Sequence, residues 1–135
     1  MILLQAALSS TEGEANFLIP VGLPNASSLK PTEDLSKTID FGHAKRIQVK
    51  TVTLQTLIQK YSLPRVDLLK LDCEGCEYDV LTSLDRETWM KIRAVFLEYH
   101  DGPRNLPQLL QDNGFRVKAE NNKHLGYIRA YRHTT

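Results

Sequence analysis

The chain has 135 residues, enough for one domain with a modest core. Its 41% hydrophobic and 24% charged content is that of a globular protein, which excludes a disordered or membrane-embedded composition. A formal net charge of +1, with Lys and Arg scattered along the chain, gives no electrostatic case for binding nucleic acid or an anionic membrane.

Residues 2–8 are apolar but too short to span a bilayer, and they lack the basic flank of a signal peptide, so they read as a strand. Residues 9–13 are turn-rich, and residues 15–19 read as a second strand returning in a hairpin. Residues 20–46 are rich in proline, glycine and polar side chains, and read as a long mobile connection near a ligand site. Within it, Asn25-Ala26-Ser27-Ser28-Leu29 is a polar loop that could touch a ligand but reads first as an ordinary loop.

Residues 47–52 predict a strand. Thr53 predicts a helix cap, followed by Leu54, Leu57, Ile58 and Tyr61 on one helical face. Residues 66–71 are a buried strand that runs into Asp72, Glu74 and Glu77. A helix is expected over 75–84, with Asp85 capping a short one that ends at Met90. Residues 94–99 are a third buried strand, ending in Glu98, His100 and Asp101. A helix carrying Leu106, Leu109 and Leu110 stops at Asn113-Gly114, and residues 121–124 join a final antiparallel hairpin. The order from residue 47 onward predicts an α/β domain, with a mainly parallel sheet and a C-terminal antiparallel hairpin.

Chemistry is expected where the buried strands end, because ligands bind at the carboxyl ends of strands in open α/β sheets. If the two strands are neighbours, Asp72, Glu98 and His100 converge. Such a group could bind a metal or act as a general base, although no metal-ligand set is assigned here. Glu77 reads first as a dipole partner in the first turn of a helix. Cys73 and Cys76 have redox spacing, but the acids around them oppose a reactive thiolate. There is no second pair for zinc, so they read as small buried thiols in a reducing, cytoplasmic setting. Tyr99 reads as a core residue rather than a stacking platform.

The run from Asp67 to Tyr78, Asp-Leu-Leu-Lys-Leu-Asp-Cys-Glu-Gly-Cys-Glu-Tyr, resembles the signature of FkbM-type S-adenosylmethionine-dependent methyltransferases. Ala7-Leu8-Ser9 followed by Gly13 and Phe17, the Ser27-Ser28-Leu29 loop, the Val49 to Leu54 segment and Phe96-Leu97-Glu98-Tyr99-His100 resemble further family segments in the same order. The resemblance implies a Rossmann-like class I methyltransferase sheet of strand order 3-2-1-4-5-7-6. It also implies O-methylation of a small-molecule hydroxyl on a sugar or natural product, with S-adenosylmethionine as cofactor. Carried over by motif, Ala7, Leu8, Asp72 and Glu74 would lie near the cofactor. Asp72, Glu98 and His100 would serve catalysis on the acceptor side, with Asp72 or His100 as the base.

The chain departs from that pattern because it starts at the family's third strand and contains no Gly-x-Gly. The resemblance therefore covers a partial domain over residues 1–135. Three arrangements are open: a tail of a longer protein, a second copy or partner chain completing the sheet, or residues 2–8 crossing to pair with residues 66–71. The isolated chain is expected to bind the cofactor weakly or not at all. The alternatives are a non-catalytic binding or regulatory module and, third, a thiol oxidoreductase.

Overall fold

The computed structural model describes residues 1–132. The N-terminal part forms a three-stranded sheet from β1 (Ala7–Leu8), β2 (Gly13–Ile19) and β3 (Lys45–Val52), in the order β1-β3-β2. The expected hairpin between residues 2–8 and 15–19 does not form. Both segments pair with β3 instead, β1 in parallel from Ala7 opposite Thr51, and β2 antiparallel from Gly13 opposite Thr51 to Ile19 opposite Lys45. Beside both strands, β3 satisfies the backbone groups along its two edges. Residues 2–6 carry no ladder, and Met1, Ile2 and Leu3 are exposed because nothing packs over them.

The connection after β2 is more ordered than its composition predicts. It contains a 3-10 turn (Pro24–Ala26) and α1 (Glu33–Thr38), whose N-cap Thr32 accepts from the Leu35 N–H. Ser28 bridges Leu18, and the Thr32 hydroxyl donates to the His100 carbonyl at 3.0 Å. These bonds tie the segment down at two points.

α2 (Leu54–Lys60) begins where Thr53 accepts from the Thr56 N–H, and it buries Leu54 and Ile58. β4 is shorter than residues 66–71: only Leu69–Leu71 make a ladder, and Val66 makes a single bridge to Ile92. Next come α3 (Glu77–Thr82), α4 (Arg86–Lys91) with Asp85 as its cap, β5 (Ala94–Tyr99) and α5 (Leu106–Asp112). The chain then turns at Gly114, φ +83°, into β6 (Arg116–Ala119) and β7 (Gly126–Tyr131).

These last strands form a second sheet in the order β4-β5-β7-β6. The fold is thus mixed α/β, but the sheets are not mainly parallel: only β1–β3 and β4–β5 run parallel. Two features account for this. β3 pairs within its own sheet rather than beside β4. The short link from β6 also returns β7 antiparallel, into the place next to β5. Nor do residues 2–8 cross over, and β4 has a strand neighbour on one side only among the described residues.

Burial alternates along β5. Val95, Leu97 and Tyr99 turn into the core with Leu71, Leu110 and Ile128. Each such side chain contributes about 1.5–3 kcal/mol from burial. Tyr99 is fully buried, as expected, and its hydroxyl donates to the Glu120 carbonyl. The other face carries Lys70, Phe96, Glu98 and Tyr127 and stays partly open. No helix among the described residues is long and apolar enough to cross a membrane.

Candidate functional site

Strand register assembles the site. Leu71 pairs with Leu97, so Asp72 falls beside Glu98 one step further on, and Glu98 in turn pairs with Tyr127. His100 follows two residues later. One ligand atom from each of Asp72, Glu98 and His100 lies within 4.8 Å of the others. The expected convergence of these three groups is therefore present in the geometry.

The turn after β4 builds the rest. Glu74 and Gly75 adopt positive φ, +54° and +113°. A Cβ on residue 75 would meet the Lys30 carbonyl oxygen at 2.7 Å, so glycine alone fits there. The turn folds Glu77 back on itself. Its carboxylate is fully buried and accepts from the Cys73 N–H at 3.0 Å and the Gly75 N–H at 2.9 Å. The same carboxylate meets His100 Nδ1 at 3.2 Å. Glu77 is thus more than a dipole partner: it orients the imidazole.

His100 Nε2 points the other way, 3.1 Å from Glu74 and 3.8 Å from Glu98. Burial alone would lower the His100 pKa. The Glu77 hydrogen bond and the charges of Glu74, Glu77 and Glu98 outweigh that, and the pKa is raised. Burial pushes the Glu74 carboxyl up, partly offset by His100. Asp72 is more exposed and pairs with Lys70 at 3.1 Å, a surface contact worth about 0–1 kcal/mol.

Cys73 and Cys76 are joined by a disulfide, contrary to the expectation of two thiols. The positive-φ turn between them brings their Cα atoms to 5.4 Å, inside the range a disulfide spans. Backbone geometry decides the pairing here, not the charge environment of the thiols.

A cleft of about 720 Å³ lies between the two sheets. Ala7, Leu8, Val49 and Lys50 form one side of its lining, and Asp72 with the Cys73–Cys76 disulfide forms another. Glu74 does not line it, because its carboxylate is turned to His100. A smaller hollow of about 290 Å³, between α1 and the β6–β7 turn, is lined by Leu35, His100 and Leu125 among others.

Several contributors were ranked too low or missed in the sequence. Ser27 and Leu29 line the main cleft, and the Ser28 hydroxyl donates to the Glu74 carbonyl at 2.6 Å. Thr32 holds the His100 carbonyl. The signal for Thr32 was legible, since Pro31-Thr32-Glu33-Asp34 is a helix-start pattern. The signal for Ser28 was not, because its partner lies far along the chain.

The family model for the FkbM methyltransferase domain matches residues 1–117. The chain belongs to the FkbM methyltransferase family. Among curated relatives, it is 33% identical to methyltransferase sdnD of Sordaria araneosa, over 87% of this chain and 54% of that protein. It is 34% identical to methyltransferase 1 of Beauveria bassiana, over 69% of this chain and 38% of the relative. It is also 34% identical to the 31-O-demethyl-FK506 methyltransferase FkbM of Streptomyces tacrolimicus, over 56% of this chain and 30% of the relative. The chain thus spans about half, or less, of the length of these relatives. No solved structure gives a significant match.

Proposed function

We propose that this chain forms the acceptor-side half of a methyl-transfer site, and that the reaction is S-adenosylmethionine-dependent O-methylation of a small-molecule hydroxyl. The observation that carries the reading is the meeting of two distant family motifs, Ala7-Leu8 and Asp72, on one cleft. The Streptomyces relative is named for acting on 31-O-demethyl-FK506, which supports oxygen as the acceptor atom.

Residues 1–132 are read here as part of one domain that extends over the whole chain from the family's third strand onward. The order β4-β5-β7-β6, with β7 antiparallel to both neighbours, agrees with the second half of a class I sheet. β1 takes the place of the third strand, and the cleft lies where the first two strands would run.

The residues present fit one side of the cofactor. Ala7, Leu8 and Phe17 offer an apolar wall for a planar ring, and Asp72 offers a carboxylate at the opposite side. The cofactor supplies an electrophilic methyl group on sulfur. Asp72 accepts the proton of the acceptor hydroxyl as its oxygen attacks, general-base help worth roughly 10²–10⁴-fold. His100 has carboxylates on both ring nitrogens, so it positions rather than deprotonates. The hollow lined by Leu35 and Leu125 would take an apolar part of the acceptor. Aligning acceptor and methyl supplies much of the remaining acceleration.

The test is an NMR titration of the isotopically labelled chain with S-adenosylhomocysteine. At millimolar ligand, shifts are expected at the amides of Ala7, Leu8, Asp72 and Cys73, and none in β6. Silent cleft amides would overturn the cofactor assignment. Micromolar affinity for S-adenosylmethionine by calorimetry would overturn the half-site assignment.

A further inference from the structure

Beyond the methyl-transfer reading, with which it shares Asp72, we propose that Asp72, Glu98 and His100 form a site for a first-row divalent cation, with Glu74 as a neighbouring carboxylate. Two independent observations carry this.

The first is spacing. A cation bound at about 2.0–2.2 Å sets its ligand atoms roughly 3–4.4 Å apart. His100 Nε2 and Glu98 Oε1 are already 3.8 Å apart, and the whole set fits within 4.8 Å. Asp72 is the exposed member, so a small side-chain rotation closes the remainder.

The second is the orientation of a buried imidazole. His100 is only 4% exposed, and its Nδ1 is fixed by a carboxylate that two backbone N–H groups hold in place. Metal-binding histidines are oriented in this way, with one ring nitrogen on a carboxylate and the other on the metal. Here the other ring nitrogen, Nε2, lies 3.1 Å from Glu74 and 3.8 Å from Glu98, with Asp72 beyond them. A cation placed among these groups would take Nε2 as a ligand in place of its contact with Glu74.

Charge agrees. Asp72, Glu74, Glu77 and Glu98 surround one imidazole, and the facing groups besides them are Lys70, on Asp72, and Tyr127, on Glu98. Counting the carboxylates as ionised, with Lys70 and His100 charged, the cluster still carries excess negative charge. One imidazole with carboxylates and water suits Mn²⁺ better than Mg²⁺, which prefers oxygen alone.

The experiment is a titration of the full chain with Mn²⁺, followed by the electron paramagnetic resonance signal of the free aqua ion, with pulsed spectra of the bound ion. One ion per chain is expected, with nitrogen modulation from His100. Glu98→Gln and Asp72→Asn should each raise the dissociation constant about tenfold or more. Lys70→Ala supplies no ligand and releases Asp72, so it should not weaken binding. Three results would overturn the site: no saturable binding at millimolar Mn²⁺, bound Mn²⁺ without nitrogen modulation, or unchanged affinity in both carboxylate variants. If one variant fails to fold, the other and the nitrogen signature still decide. No methyl-donor cofactor enters the measurement, so its failure is distinguishable from failure of the methyl-transfer reading.

Discussion

Glu77 shows how one residue can hold a site together without touching a ligand. Its two oxygens close the turn through Cys73 and Gly75, and one of them also fixes His100. The Glu77→Gln substitution keeps the shape but replaces one acceptor with a donor that faces a backbone N–H. One buried N–H is then left unpaired, and the imidazole loses its charged partner. An unpaired buried group costs about 1–3 kcal/mol, and breaking a buried charged pair adds to that. The variant should lose about 3 kcal/mol in urea denaturation. A loss below about 1 kcal/mol would mean that the turn closes without this carboxylate. Sequence alone made Asp72, Glu98 and His100 visible as a group because they end neighbouring strands. The role of Glu77 was hidden, because an acid in a first helical turn normally needs no explanation beyond the dipole.

At the scale of elements, local chemistry was legible and long-range pairing was not. Thr53 and Asp85 were readable as caps, since a hydroxyl or carboxylate before an apolar helical stripe has few other uses. β5 followed from its apolar run, and the β6–β7 hairpin from alternation on either side of the 121–124 turn. The partner of β2 did not, because alternation is equally satisfied by β1 or by β3. The Asp85 cap gives a test with a definite sign. Its hydrogen bonds with Thr88 lower its pKa in the folded chain. Such a group contributes stability above its unfolded pKa, and that contribution is lost as pH falls through the folded value. At neutral pH, Asp85→Ala should cost about 1 kcal/mol and Asp85→Asn a few tenths. On acidification through and below the usual carboxylate range, the advantage of Asp85 over alanine should shrink, while that of asparagine over alanine should persist. Parallel thermal melts of the three proteins across pH check this. A pH-independent gap between Asp85 and alanine would contradict it.

The molecule as a whole is built unevenly. The buried apolar cluster is drawn from α2 onward, through the β4–β7 sheet and its helices. The N-terminal sheet adds only Leu8, at the margin of that cluster. What ties its connecting segment to the rest is polar: Ser28 to the Glu74 carbonyl, Thr32 to the His100 carbonyl, Lys30 to Asp79 and Asp34 to His124. The Ser28 and Thr32 links contribute about 0.5–1.5 kcal/mol each, and the two exposed ion pairs add little. Local opening follows the density of buried apolar contacts, so the two sheets should not open together. Native-state hydrogen exchange should find the ladder amides of β5 and β7 protected at least about 100-fold more than those of β2 and β3. The contrast should hold although β2 and β3 share the longest register among the described residues, because hydrogen bonds without a buried face are open to water. Equal protection in the two sheets would mean that the cleft between them is rigidly bridged, and that the polar links carry more stability than their exposure allows. A ligand that fills the cleft would contact both walls at once. It should slow exchange in β1 and β3 much more than in β5, which identifies the cleft as the place where the weaker sheet gains its missing packing.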